Sequence, residues 1–235
     1  MKLAVIRFPG ANCDLDAVHV LKEVMRMPTD LVWHTEFKES KFDAVVLPGG
    51  FSYGDHLRAG IIAAYSPAMA EVKKMAAEGK PVIGICNGFQ ILCEAELLPG
   101  ALVRNASTRF ICKWVNLKVM TPRTVFTKQF VKGDVFQSPT AHGEGNYVIS
   151  PEALRDLYAG DQVAFKYCDS SGRETPESNP NGSLENIAGV CNAEGNVVGL
   201  MPHPERASEL ILSPYKNENA RKIFSSLKEF LGGKG

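Results

Sequence analysis

Over the first hundred positions, short continuous apolar runs trade places with apolar residues at helical spacing. Leu3 to Phe8, Leu31 to Thr35, Asp43 to Leu47 and the run ending at Cys86 read as buried strands. Between them, Val18, Leu21, Val24 and Met25 recur at helical intervals until Pro28, with Asn12 or Asp14 as the expected cap. Helical patterns also fill Leu57 to Tyr65 and Pro67 to Glu78. Strands alternating with helices predict an α/β protein: a mostly parallel sheet with helices on both faces.

The middle of the chain changes character. Phe110 to Met120 and Val125 to Phe136 are β-rich, with Pro122, Gly133 and Pro139 as punctuation. Tyr147 to Ile149, Val163 to Tyr167, Ile187 to Cys191 and Val197 to Met201 follow as short strands. The turns between them are too short for crossover helices, so an antiparallel β-rich extension is expected. Near Asn219 a last helix begins, with Ala220, Ile223, Phe224, Leu227, Phe230 and Leu231 on one stripe, and Gly232 to Gly235 are expected to fray. No repeat or linker divides the chain, so residues 1–235 are expected to form one domain.

Charge narrows the function classes. Lys+Arg and Asp+Glu are 26 each, which leaves no basic footprint for nucleic acid and no charged tail for a membrane surface. No apolar run approaches the ~20 residues of a membrane span. The six cysteines form no C-x-x-C pair and the histidines do not cluster, so no metal site is expected. Scattered cysteines without an export signal predict reduced thiols in a cytoplasm.

The stretch with the most chemistry is Pro81-Val82-Ile83-Gly84-Ile85-Cys86-Asn87-Gly88-Phe89-Gln90. A strand stops at a cysteine flanked by glycines at both second neighbours, and Phe89, Ile91, Leu92 and Ala95 then run at helical spacing. This is the nucleophile-elbow pattern with Cys in place of Ser. Small neighbours let the turn close. The helix N-terminus behind the thiol favours an anion and offers N–H groups to a developing oxyanion. A buried cysteine between two turn glycines would look the same.

A thiol nucleophile needs a base, and the base an orienting group. His203 and Glu205 lie just past the strand-like run Val197 to Met201, and Pro202 and Pro204 stiffen the backbone on either side. The alternative is a proline-stiffened surface loop. His142, in Ala141-His142-Gly143-Glu144, is a rival base with its own nearby carboxylate. Pro48-Gly49-Gly50-Phe51 follows a buried strand, so its Gly50 N–H is a candidate oxyanion donor beside that of Asn87.

Gly84-Ile85-Cys86-Asn87-Gly88-Phe89-Gln90 together with His203-Pro204-Glu205 resembles the class I, or triad, glutamine amidotransferases. The resemblance implies a flavodoxin-like fold. It also implies that Cys86 attacks the side-chain amide of glutamine, with His203, held by Glu205, moving protons. Gly50 and Asn87 hold the oxyanion, Gln90 lies along the glutamine pocket, and Arg109 and His142 contact the amino-acid end. Three further stretches narrow the resemblance to the glutaminase subunits of purine biosynthesis. They are Phe8 to Asp14, Pro48 to Asp55, and Asn179 to Ser183 with Met201 to Arg206. Ala11 stands where that branch more often has Ser. In that branch ammonia passes to a separate large synthetase subunit, joined by a small bridging subunit. The resemblance therefore implies no cofactor in this chain, with ATP and magnesium on the synthetase. Two alternatives stay open. One is a cysteine hydrolase of the flavodoxin-like families, which usually carry His directly after the Cys where Asn87 stands here. The other is a non-catalytic module that has kept the fold.

Overall fold

The computed structural model describes residues 1–233. In chain order the strands and helices open with β1 (Leu3–Arg7), α1 (Asp14–His19, continued by a π-type turn Val20–Val24), β2 (Thr29–Trp33) and β3 (Ala44–Leu47). Next come α2 (Ile61–Ala64), α3 (Pro67–Ala77), β4 (Val82–Ile85) and α4 (Asn87–Glu94). The middle comprises β5 (Ala101–Val103), β6 (Ile111–Val119), β7 (Val135–His142), β8 (Asn146–Val148) and α5 (Pro151–Ala159). The chain closes with β9 (Val163–Cys168), β10 (Ile187–Cys191), β11 (Val197–Leu200) and α6 (Lys222–Gly232). Of the tail expected to fray, Lys234 and Gly235 lie outside the described residues.

Nine strands form one sheet in the order β2-β1-β3-β4-β11-β10-β9-β6-β7, and β5 pairs with β8 apart from it. From β2 to β11 every pairing is parallel. From β11 to β7 every pairing is antiparallel. The extension expected from the middle of the chain is thus the second half of the same sheet. The strands of the parallel half are nearly continuous apolar runs because both faces are covered. Val82, Ile83, Ile85, Val197, Val198 and Leu200 are all fully buried.

Several local expectations are corrected. Neither Asn12 nor Asp14 caps α1: Cys13 holds the cap position without a side-chain bond, and Asp14 pairs instead with Arg7. The helix expected over 57–65 is reduced to Ile61–Ala64, because Leu57 takes a positive φ of 69° and points into solvent. Val125 to Phe130 is not a strand. The Thr124 and Thr127 hydroxyls, 2.8 Å apart, close a turn there, and Phe130 packs on Phe136. The helix α5 is an addition, started by Ser150, whose hydroxyl accepts the Ala153 N–H at 3.2 Å, and by Pro151 in its first turn. Pro139, expected to break structure, sits inside β7. It is tolerated because β7 is an edge strand, where a missing N–H leaves no ladder partner unsatisfied.

Candidate active site

Three neighbouring parallel strands deliver the chemistry to one edge of the sheet. In the β4–β11 register Ile85 faces Leu200, and in the β3–β4 register Leu47 faces Gly84. Parallel pairing makes all three strands end together. The residues just past those ends, Cys86, His203 and the Gly49-Gly50 turn, are therefore forced into one place. This is the strand-end position where open α/β sheets bind ligands.

Cys86 has φ 52° and ψ −106°, a conformation that costs a non-glycine residue energy and is held by its surroundings. Its N–H donates to Leu200 O at 2.8 Å, and its carbonyl accepts the Phe89 and Gln90 N–H groups that open α4. Gly84 and Gly88 pack so closely that a Cβ on either would run into backbone, of Gly88 and of Leu47 respectively. The thiol is buried, and its contact with Ala141 O is 3.7 Å.

His203 is fixed from both ends. Its N–H donates to Pro139 O of β7 at 2.8 Å, so the antiparallel half of the sheet anchors the backbone. Its Nδ1 lies 2.7 Å from Glu205 Oε1, and both side chains are buried. Nε2 has no fixed hydrogen-bond partner and is left for the reaction. Burial opposes a charged imidazole, but the Glu205 carboxylate and the neighbouring Cys86 and Cys13 thiols outweigh it and raise the His203 pKa well above its ordinary value. An imidazole poised to hold a proton is the partner a thiolate needs.

Sequence reasoning missed Cys13. Its sulfur, His203 and Glu205 place their polar atoms within 4.8 Å of one another. Arg206 donates to the Cys13 sulfur at 3.2 Å and to Asp16 at 2.9 Å. Burial pushes the Cys13 thiol up, so it remains a neutral wall beside the imidazole. A Cβ on Gly49 would lie 2.7 Å from His203 Cε1, 3.0 Å from Cys13 Sγ and 3.4 Å from Cys86 Cβ, so a side chain there is excluded by the triad itself.

The Gly49 carbonyl accepts from the Asn12 and Cys13 N–H groups at 3.4 and 3.2 Å. A planar trans peptide points its N–H opposite to its carbonyl, so the Gly50 N–H faces away from that loop. Gly50, at φ 147°, lines the same cleft as Cys86. Asn87 is the first residue of α4, where N–H groups have no intrahelical acceptor. Its side chain accepts from Ser52 N at 3.1 Å and donates to Gln90 Oε1 at 2.8 Å, and Gln90 Nε2 donates to Glu144 O at 2.5 Å. Gln90 lines the cleft, and this relay ties its amide to the loops on either side.

The cleft holds about 280 Å³ and runs from Cys86 out to Phe51 and Phe110, whose rings are 6.3 Å apart. Arg109 does not line it: Arg104 and Thr108 of the same loop, themselves exposed, line the wall instead. His142 does line it, and its hydrogen bonds define its tautomer. Asn105 Nδ2 donates to the carbonyls of Arg109 and His142, both at 2.9 Å. Asn105 Oδ1 must then be the acceptor, at 3.0 Å from both Gly145 N and His142 Nδ1. His142 therefore carries its proton on Nδ1 and leaves Nε2 bare. Burial, with the nearby His203, lowers its pKa to about 4. A neutral imidazole held by an amide is a weak base, which separates His142 from the carboxylate-backed His203. Asp55 and Glu144 also line the cleft; the sequence marked Glu144 only as a carboxylate near His142 and gave Asp55 no role of its own.

A cysteine elbow, a carboxylate-held imidazole beside it and a glycine turn across the cleft define a triad amidotransferase site. Residues 1–231 match the CobB/CobQ-like glutamine amidotransferase domain, and the chain belongs to that family. Within it, the chain is 54% identical over 231 residues to phosphoribosylformylglycinamidine synthase subunit PurQ of Methanosarcina acetivorans, covering 98% of both chains. It is 51% identical over 230 residues to the subunit of the same name from Thermosynechococcus vestitus, covering 97% of this chain and 95% of that one. A chain in the structure of PurLQS from Thermotoga maritima matches with a TM-score of 0.86 and 43% identity over 98% of each chain. A glutamine amidotransferase from Thermotoga maritima, at 16% identity and a TM-score of 0.60, shares the fold.

Proposed function

We infer that this chain, acting as one domain, is the glutaminase subunit of phosphoribosylformylglycinamidine synthase. It hydrolyses glutamine to glutamate and ammonia. The ammonia passes to a large synthetase subunit, which converts formylglycinamide ribonucleotide to formylglycinamidine ribonucleotide in de novo purine biosynthesis. The observation that carries this reading is the delivery of Cys86, His203 and Glu205 to one sheet edge in a chain about half identical, end to end, to PurQ subunits.

The chemistry follows from the geometry. The Cys86 thiol gives its proton to His203 Nε2, and the sulfur attacks the side-chain carbonyl carbon of glutamine, forming a C–S bond as the carbonyl π bond opens and places negative charge on the oxygen. The Gly50 and Asn87 N–H groups stabilise that charge, an effect worth about 3 kcal/mol per donor in comparable sites. His203, protonated as its raised pKa favours, gives its proton to the departing nitrogen. The C–N bond breaks, ammonia leaves, and a thioester remains. Water then attacks, His203 takes its proton, and the C–S bond breaks to release glutamate and return the proton to sulfur. Glu205 keeps Nε2 turned toward the sulfur and stabilises each imidazolium.

Amidation of the ribonucleotide is assigned to the partner, with ATP and magnesium bound there and a small third subunit bridging the two. The assembly works in the cytoplasm, a setting that suits six free cysteines. No helix among the described residues is long and apolar enough to cross a membrane. The test is ammonia release from glutamine, with and without the synthetase and bridging subunits. Glutamine-dependent product from the complex, lost when Cys86 becomes Ala while assembly persists, supports the reading. Product that persists in the Cys86→Ala complex overturns it.

A further inference from the structure

The cleft lined by Cys86 also carries charges that the fold leaves unused. Asp55 and Glu144 line it, and no ion pair or hydrogen bond engages either carboxylate among the described residues. Asp55 Oδ1 is completely shielded from water and still has no partner. Arg104 lines the same cleft with its side chain exposed, and no ion pair or hydrogen bond engages its guanidinium among the described residues. His142 Nε2 is buried and unpartnered, and the tautomer fixed by Asn105 makes it an acceptor. Buried acceptors left open are costly, so a site that keeps two of them, Asp55 Oδ1 and His142 Nε2, with the Glu144 carboxylate in the same cleft, is shaped for a ligand bearing several N–H donors.

Glutamine carries one such group. Its α-ammonium has three N–H donors and one positive charge, and its α-carboxylate has one negative charge. We propose that the carboxylates of Asp55 and Glu144, with His142 Nε2, receive the α-ammonium of the substrate, and that Arg104 receives its α-carboxylate. This rests on the reading of the cleft as a glutaminase site and names the groups that select a free amino acid there.

The chain around Asp55 is built to present it. Tyr53, Gly54, Asp55 and Leu57 all have positive φ, and three of them are not glycine. The turn begins at Ser52, whose N–H is tied to Asn87 beside the nucleophile. Glu144 is held from the other side, because its own carbonyl accepts from Gln90 Nε2. Both carboxylates are thereby referenced to α4, the helix that starts at Cys86. An α-ammonium docked between them would set how far the side-chain amide reaches toward the sulfur. Arg109, on the same loop as Arg104, stays outside this arrangement.

Two truncated substrates test the assignment in the chain assembled with its synthetase subunits. One is 4-carbamoylbutanoate, which is glutamine without its α-ammonium. The other is 4-aminobutanamide, which is glutamine without its α-carboxylate. The natural chain should favour glutamine over 4-carbamoylbutanoate by roughly 100-fold in kcat/KM, the scale of lost charge-assisted hydrogen bonds. Asp55→Asn should lose roughly 30-fold on glutamine and less than about 3-fold on 4-carbamoylbutanoate, because the group it held is already missing. Glu144→Gln should behave alike with a smaller loss. Arg104→Met should lose activity on glutamine and not on 4-aminobutanamide. Equal losses on full and truncated substrates would overturn the proposal, and so would no loss on either. If the variants fail to fold, the natural chain still decides: equal kcat/KM for glutamine and 4-carbamoylbutanoate ends the idea. Absence of hydrolysis of every substrate by the natural complex would instead count against the glutaminase reading itself.

Discussion

The two walls of the cleft are built on opposite terms. Around Cys86 the fold ties each group in place: His203 is held by Glu205 and Pro139, Gly49 by Asn12 and Cys13, and Gln90 by Asn87 and Glu144, with His203 Nε2 left open for the reaction. On the wall lined by Asp55, Glu144, Arg104 and His142, the three charged side chains and His142 Nε2 are left open among the described residues. The first wall must hold reacting atoms within fractions of an ångström before substrate arrives, which requires saturated support. The second must exchange water for a charged ligand, which requires groups that the fold itself does not satisfy. A substitution on the first wall should therefore damage turnover, and one on the second should damage substrate selection.

The sharpest test of that division removes the sulfur. Cys86→Ala should lower glutamine hydrolysis by at least roughly 10⁴-fold, since nothing else in the cleft can carry the acyl group. Alanine keeps the Cβ and the same backbone conformation, so circular dichroism should show the fold intact and thermal unfolding should change little. Glu205→Gln is the next largest. It keeps the shape but removes the charge that raises the His203 pKa, so kcat should drop by roughly 10²- to 10⁴-fold with little change in KM. A KM increase matching the kcat loss would mean the catalytic wall also selects substrate and would break the comparison.

The parallel half of the sheet and the catalytic wall it carries were largely legible in the sequence, and the substrate wall was not. The nucleophile and base sit one and three residues past the ends of short apolar strands, and the glycines that permit the elbow stand at fixed spacing from Cys86. Backbone geometry dictates both, so both appear as local patterns. The helix expected from Leu57 was shortened because side-chain periodicity does not register where a turn takes positive φ, as at Leu57. Asp55, Arg104 and Glu144 come from three separate loops, and no periodicity links them. The resemblance pointed to Arg109, and residues five apart on an irregular loop carry no pattern to show that Arg104 is the one lining the cleft. Cys13 was hidden for another reason: it meets His203 across a separation of 190 positions in the chain. The Asn12-Cys13-Asp14 run in a β–α turn was the signal that could have marked it.

Acidity sharpens the division at a third level. Burial, with Glu144 beside it, raises the Asp55 pKa to about 6. As pH falls through about 6 the carboxylate takes up a proton and loses its attraction for an α-ammonium, which itself stays charged. KM for glutamine should rise by roughly 10-fold between pH 7 and pH 5, while KM for 4-carbamoylbutanoate stays flat over the same interval. Equal dependence for both substrates would place the titration on the catalytic wall.

The smallest effect concerns stability and runs opposite to the effect on activity. A carboxylate buried without a partner costs the free protein free energy whenever it is charged. With a folded-state pKa of about 6 against an unfolded value of 3.8, the folded chain holds a proton on Asp55 that the unfolded chain has already lost. Protons therefore favour folding in that interval: this contribution to stability is present below the unfolded value and is lost as pH rises through the folded one. Asp55→Asn removes the charge and the titration together. It should stabilise the free chain at pH 7 by on the order of 1 kcal/mol after allowance for partial solvent screening, or about 2–4 °C in Tm for a chain of this size. Near pH 4 the natural side chain is already neutral, and the two proteins should melt together. A variant that is less stable at pH 7, or equally displaced at both pH values, would show that Asp55 serves the fold rather than the substrate.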